Sequence, residues 1–280
     1  MKKIVLLSLV ALFVLGMTSC HKEGVFNPSQ KIEEVYIEKS GADIQAKYLA
    51  EEWEWEDNLL ESITHYGPTG IKTYIDEYSY DKKKRLTCIE QNNGTKINYT
   101  YDGKYLTAIE YTYKGTTMSK STVEHDGKKI SKIITTYYDS KVNMAHALRF
   151  FVPEESIARL ECATAKAQNQ AKGGSYTTTM VLTWNGKNVS ASEIITEING
   201  NTTSETTVYA YDKYKNPIYN FLDEDYFGVS KNNIVEEACG AYTLNYTYEY
   251  NKHNYPVKKS WTTSILGGEI EISNYYKYDD

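Results

Sequence analysis

Along much of the chain, polar and apolar side chains alternate with a period of two, the spacing of a strand that buries one face. Ile97, Tyr99 and Tyr101 fall on one side, Lys96, Asn98 and Thr100 on the other. Ile109, Tyr111 and Tyr113 repeat the arrangement against Glu110 and Thr112. A recurring unit punctuates this alternation: aromatic-x-aromatic, then Asp or Asn, a turn, and an aliphatic residue. Copies start at Trp53, Tyr78, Tyr99, Tyr209 and Tyr248, with variants at Val123 (His125 in the second aromatic place) and Leu182 (Trp184), and a half copy at Tyr276. Asp102-Gly103, Asp126-Gly127 and Asn185-Gly186 suit type I′ turns, which match strand twist. Second turns stand at Asn93-Gly94, Lys114-Gly115, Asn199-Gly200 and Gly267-Gly268. Strand, turn, strand, turn, with no crossover helix, predicts an all-β antiparallel meander. About 16 strands between Ile32 and Tyr278 must curl into an open or closed barrel-like sheet.

One stretch breaks the period. Ala147-Leu148-Arg149-Phe150-Phe151-Val152 is almost wholly apolar, and Pro153 to Lys172 reads as a helix. Pro153 stands at its start, Glu154 and Glu155 suit the positive end of its dipole, and Gly173-Gly174 ends it. Ile157, Leu160, Ala163, Ala167 and Ala171 form a narrow apolar stripe. The insertion, 139–174, is expected either to plug the curled sheet or to join two halves along its surface. One domain over 31–280 is the preferred reading, because two half-sheets would each leave open edges.

The first twenty residues have a different pattern. Lys2 and Lys3 precede an apolar run from Ile4 to Gly16, too short to span a bilayer and suited to a signal peptide over 1–19. Met17-Thr18-Ser19-Cys20 then resembles a bacterial lipobox, which implies lipidation of Cys20, with 20–30 as the anchored linker. Each acyl CH₂ buried in the membrane contributes about 0.8 kcal/mol, and more than one chain holds firmly. His21 is not the Asp that signals inner-membrane retention, so the outer membrane of a Gram-negative bacterium is expected, on its periplasmic face or at the cell surface.

The tandem Tyr-x-Tyr-Asp units, clearest over Tyr78–Ile89 and Tyr99–Ile109, resemble the YD-type repeats of bacterial cell-surface shell proteins. Together with the lipobox and Leu148-Arg149-Phe150-Phe151-Val152-Pro153, the whole chain resembles a Bacteroides-type lipoprotein family of unknown function described as porin-like. That resemblance implies a curled antiparallel sheet and supplies no catalytic residues. A membrane-spanning barrel would need an outward apolar band, whereas the faces opposite the rings carry Lys, Glu, Thr and Ser.

Composition narrows the chemistry. The 280 residues include 27 Tyr, and the net charge of −6 argues against nucleic acid as a partner. Cys88, Cys162 and Cys239 allow one disulfide at most. The five His show no ligand spacing, so neither a metal nor a cofactor is expected. Cys162, among alanines, reads as a small packed residue. Acidic clusters at Glu51, Glu52, Glu54, Glu56 and Asp57, and at Asp223-Glu224-Asp225, could in principle supply a carboxylate pair for glycoside hydrolysis. Stacked rings could bind sugars, with Trp53, Trp55, Trp184 and Trp261 as the candidates. Core packing is the competing role for the same rings. The leading expectation is a non-enzymatic, outer-membrane-anchored lipoprotein acting as a scaffold or binding module, with a glycan or a protein as partner. A glycan-binding surface lipoprotein and a glycan-acting hydrolase are the alternatives.

Overall fold

The computed structural model describes residues 30–41, 44–138, 145–171, 174–219, 230–265 and 268–279. The signal peptide, Cys20, most of the linker and Asp223-Glu224-Asp225 lie outside the described residues. Among the described residues, seventeen strands form one antiparallel sheet. They are β1 (Ile32–Gly41), β2 (Ile44–Glu56), β3 (Leu59–Tyr66), β4 (Lys72–Tyr80), β5 (Leu86–Gln91) and β6 (Thr95–Asp102). Next come β7 (Tyr105–Tyr113), β8 (Thr116–Asp126), β9 (Lys129–Tyr137), β10 (Tyr176–Asn185), β11 (Asn188–Ile198) and β12 (Asn201–Lys215). The last are β13 (Asn232–Cys239), β14 (Tyr242–Asn245), β15 (Thr247–Tyr250), β16 (Pro256–Ile265) and β17 (Gly268–Tyr278).

The meander curls into a nearly closed barrel. β1 pairs with β2 on one side and with β17 on the other, so the first and last strands meet. Lys31 donates its N–H to Asp279 Oδ1 at 2.8 Å, and Asp279 returns one to the Lys31 carbonyl. The ladder is interrupted at Tyr246, where β14 pairs with β13 and β15 with β16. Tyr246 gives its N–H to the Val235 carbonyl instead.

Each repeat carries a feature that simple alternation does not predict. The register shifts between Glu54 and Trp55, Ser79 and Tyr80, Thr100 and Tyr101, Glu124 and His125, Thr183 and Trp184, and Ala210 and Tyr211. In each case the partner strand carries the extra residue (Glu61, Thr87, Thr107, Ser131, Ser190 and Val235), a bulge that bends that strand opposite the step to the second aromatic. The first member of each pair is buried: Trp53, Tyr78, Tyr99, Val123, Leu182 and Tyr209. The second lies half-buried, with its polar tip on a main-chain carbonyl of the preceding strand. Trp55 reaches Ile32 at 2.7 Å, Tyr80 Leu60 at 2.8 Å, Tyr101 Leu86 at 2.9 Å and His125 Leu106 at 2.8 Å. Trp184 reaches Ile130 at 2.8 Å, Tyr211 Val189 at 2.5 Å and Tyr278 Pro256 at 2.7 Å. In the copy at 246–250 the role falls to Tyr248, which donates to Ile234 at 2.8 Å. These bonds tie the strand pairs that the repeat turns leave unjoined at this rim. They also explain why Trp and His replace Tyr here: each has a ring that fills the slot and an N–H in place of the hydroxyl.

The turns differ from the sequence expectation. At Asp102-Gly103, Asp126-Gly127 and Asn185-Gly186, the glycine alone has positive φ, at the first central position, which is the type II′ pattern rather than I′. Two consecutive positive φ values, the I′ pattern, occur at Asp57-Asn58, Lys114-Gly115 and Asn199-Gly200. Asp81 and Asp212 act as turn formers, accepting main-chain N–H groups from Lys83, Arg85 and Tyr214.

The insertion is a plug, not a surface connector. β9 and β10 pair directly across it, with Tyr137 opposite Tyr176, so it leaves the wall and returns at one point. Helix α1 (Ala145–Leu148) leads into the barrel, and α2 (Glu154–Ala171) follows it. Phe150 meets Trp53 and Tyr78, Phe151 stacks on Tyr99 with centroids 5.1 Å apart, and Tyr99 donates to the Ala147 carbonyl. Leu148, Phe151 and Val152 are at most 1% exposed and share a core with Ile63, Ile89, Ile97, Ile109 and Met180 from the wall. Helix α2 buries Ile157, Leu160, Thr164, Ala167 and Ala171. Cys162 points away from that stripe and is exposed, which corrects the expectation of a packed residue. All three described cysteines are free. Outside, the wall is laced with cross-strand ion pairs such as Lys96–Glu90 at 2.9 Å, Lys120–Glu110 at 3.2 Å and Lys132–Glu124 at 2.7 Å.

Candidate functional site

The four candidate tryptophans do not form one stripe. Trp53 and Trp55 are near neighbours on β2, with ring centroids 6.1 Å apart, while Trp184 lies on β10 and Trp261 on β16. Trp53 is 4% exposed, packed under Phe150 and the Arg149 guanidinium, and its Nε1 donates to Glu51. Trp55 and Trp184 commit their N–H groups to the carbonyl ladder. Trp261 is half-buried, edge-on to Tyr246 and 5.6 Å from the Lys259 ammonium. Among the acids, Glu52 accepts from Tyr66 and Glu54 from Ser62, both on the neighbouring strand β3, and Glu51 turns toward Arg149 of the plug.

The polar chemistry that faces the interior gathers where the plug meets β2 to β5. Inward parity places Glu51 two residues before Trp53, His65 two after Ile63, Asp76 two before Tyr78 and Gln91 two after Ile89. Asp76, 1% exposed, accepts from Gln91 Nε2 at 2.7 Å on Oδ1. Its Oδ2 lies 3.0 Å from His65 Nε2 and 3.5 Å from His146 Nδ1. The far nitrogen of His146 is 3.1 Å from the Tyr74 hydroxyl, and that of His65 is 3.6 Å from Glu51 Oε1. Arg149 grips both oxygens of Glu51, at 2.8 and 2.7 Å. Burial by itself would raise the Asp76 carboxyl, but hydrogen bonds from His146 and His65 outweigh it and hold Asp76 well below the usual carboxylate range. Burial likewise opposes ionisation of Glu51, and Arg149 reverses the sign. Tyr74 is pushed up, first by burial and then by Asp76.

His65, Asp76 and His146 bring three ligand-type atoms within 4.8 Å of one another, although no metal was expected from the sequence. The histidines are far apart in the chain and come from the wall and the plug, so linear spacing could not reveal them. The available signal was parity: a His, an Asp and a Gln standing in inward-facing slots.

A second charged group lies round the barrel. Lys259 is 2.9 Å from Glu155 and 3.4 Å from Glu154 at the start of α2, and Arg159 is 2.8 Å from Glu237. Burial opposes the Lys259 charge, yet Glu154 and Glu155 hold its pKa well above normal. A pocket of about 60 Å³ beside this pair is bordered by Arg149, Glu154, Ser230, Tyr248 and Lys259.

A crystal structure of a porin-like protein from Bacteroides uniformis superposes on this barrel with a TM-score of 0.52, covering 89% of this chain and 98% of that one at 10% identity. The fold is porin-like. A second solved structure, TcdB2-TccC3-TEV, scores 0.30 at 14% identity over 81% of this chain and 12% of that one, too distant to bear on the fold. No family model matches the chain, and no curated protein does. The barrel's lumen is filled by the plug, an apolar core and the buried polar clusters, and its described outer face carries cross-strand ion pairs where a membrane-spanning barrel carries an apolar band. No described helix is long and apolar enough to cross a membrane.

Proposed function

We propose that the chain is a lipoprotein held to the outer membrane through Cys20, its barrel a non-enzymatic scaffold or binding module facing water. The observation that carries this reading is the filled lumen beneath a polar wall: a barrel so built has no need of lipid around it, and its attachment falls to the N-terminal anchor. The ladder supports a scaffolding role for the aromatic excess, since Trp55 and Trp184 spend their polar tips inside the wall. The pairing of Glu51 with Arg149, of Glu52 with Tyr66 and of Glu54 with Ser62 favours a non-enzymatic reading of these acids. Metabolic labelling with palmitate, followed by fractionation, tests the anchor. Wild type is expected to take up label and to sediment with outer membranes, and Cys20→Ala to lose the label. Equal labelling of the two would overturn the lipid anchor.

A further inference from the structure

We propose that His65, Asp76 and His146 form a zinc site that staples the plug to the barrel wall. The donor set is two imidazole nitrogens and one carboxylate oxygen, which suits Zn²⁺. Zinc bonds of about 2.0–2.2 Å place tetrahedral donors roughly 3.3 Å apart. The Asp76 Oδ2 distances of 3.0 Å to His65 Nε2 and 3.5 Å to His146 Nδ1 bracket that separation.

The surroundings are those of a built site rather than a chance cluster. A ligating His is normally oriented by a partner on its other nitrogen, and a ligating carboxylate by a hydrogen bond. Here Tyr74 Oη stands 3.1 Å from His146 Nε2, the Glu51 carboxylate flanks His65 Nδ1, and Gln91 holds Asp76 Oδ1 at 2.7 Å. Tyr74 also stacks on His65, with centroids 4.3 Å apart, which fixes the ring. Three protein ligands leave a fourth position for water. Access is through His146, whose side chain is 23% exposed while Asp76 is closed off. Because His65 and Asp76 come from β3 and β4 and His146 from α1, bound Zn²⁺ would cross-link wall and plug.

The test uses the purified protein in detergent, stripped with chelator and then titrated with zinc chloride by calorimetry and with Co²⁺ by visible spectroscopy. Wild type is expected to bind one equivalent and to melt at higher temperature with Zn²⁺ present. His146→Ala is expected to bind at least tenfold more weakly and to gain nothing on heating with Zn²⁺. Tyr74→Phe should weaken binding about tenfold. Asp76→Asn risks misfolding, so partly exposed His146 is the decisive position, with its metal-free melt compared to wild type as the control for folding. Absence of stoichiometric binding by wild type would overturn the proposal. So would wild-type affinity in His146→Ala, or a thiolate-to-cobalt band placing the metal on Cys88, Cys162 or Cys239.

Discussion

Raising the pH from about 10 to about 12 is expected to unfold the barrel in one cooperative step, with its buried tyrosines ionising together. Burial raises the pKa of Tyr78, Tyr80, Tyr99, Tyr101, Tyr211, Tyr246, Tyr248 and Tyr278. Tyr209 and Tyr276 are pushed up to about 12, again chiefly by burial. A phenol whose folded pKa exceeds its unfolded value stabilises the fold fully below the unfolded pKa. That contribution is lost as the pH climbs through the folded value. For Tyr209, 9% exposed, a rise of about two units corresponds to roughly 3 kcal/mol of stability that disappears across this window. Several such groups draw on the 5–15 kcal/mol by which domains are ordinarily stable. Absorbance of tyrosinate and circular dichroism, followed together against pH, make the test. Coincident steep transitions above pH 10 are expected. Gradual ionisation near pH 10 with an unchanged fold would show that the rings are open to water.

Arg149→Met is expected to cost about 3 kcal/mol of stability. The guanidinium makes a two-pronged pair with Glu51 and lies 5.0 Å above the Trp53 ring, pinning the plug to β2. Removing one partner of a buried pair strands the other charge, at a cost of about 3–5 kcal/mol. About a quarter of the Arg149 side chain remains open to solvent, which places the expectation at the lower end. For a protein of this size the melt should fall by about 5 °C. The double variant Glu51→Gln with Arg149→Met should recover part of the loss, because no charge is then left stranded. Trp53 fluorescence reports the same event locally. A melt within 1 °C of wild type would mean that the pair does not secure the plug.

Much of the architecture was legible from local pattern. Alternation marked the strands, the Tyr-x-Tyr-Asp units marked their grouping, and Glu154, Glu155 and the Ala-rich run marked α2, observed at Glu154–Ala171. These are properties of a few neighbouring residues. The bulge opposite each second aromatic was not legible, because the extra residue, Thr107 in the unit at Tyr99, stands on the following strand. Only the paired strand reveals the shift between Thr100 and Tyr101. Closure depends on β1 meeting β17, which are separated by nearly the whole chain, and the plug's position depends on that closure. The inward cluster was hidden for the same reason. His65 and Asp76 become neighbours through the pairing of β3 with β4, and His146 joins them only when the plug enters.

The repeat places a hydrogen-bond donor on a carbonyl of the preceding strand. Thermal unfolding of Tyr101→Phe, His125→Phe and His125→Tyr side by side tests it most directly. The two phenylalanines keep a ring in the slot but strand the carbonyls of Leu86 and Leu106, so each should lose about 1–2 kcal/mol. His125→Tyr restores the repeat's usual donor and removes a buried Nδ1 that has no partner, so it should match or exceed wild type. Phenylalanine variants that melt with wild type would show that the rings act by packing alone, and would contradict the account.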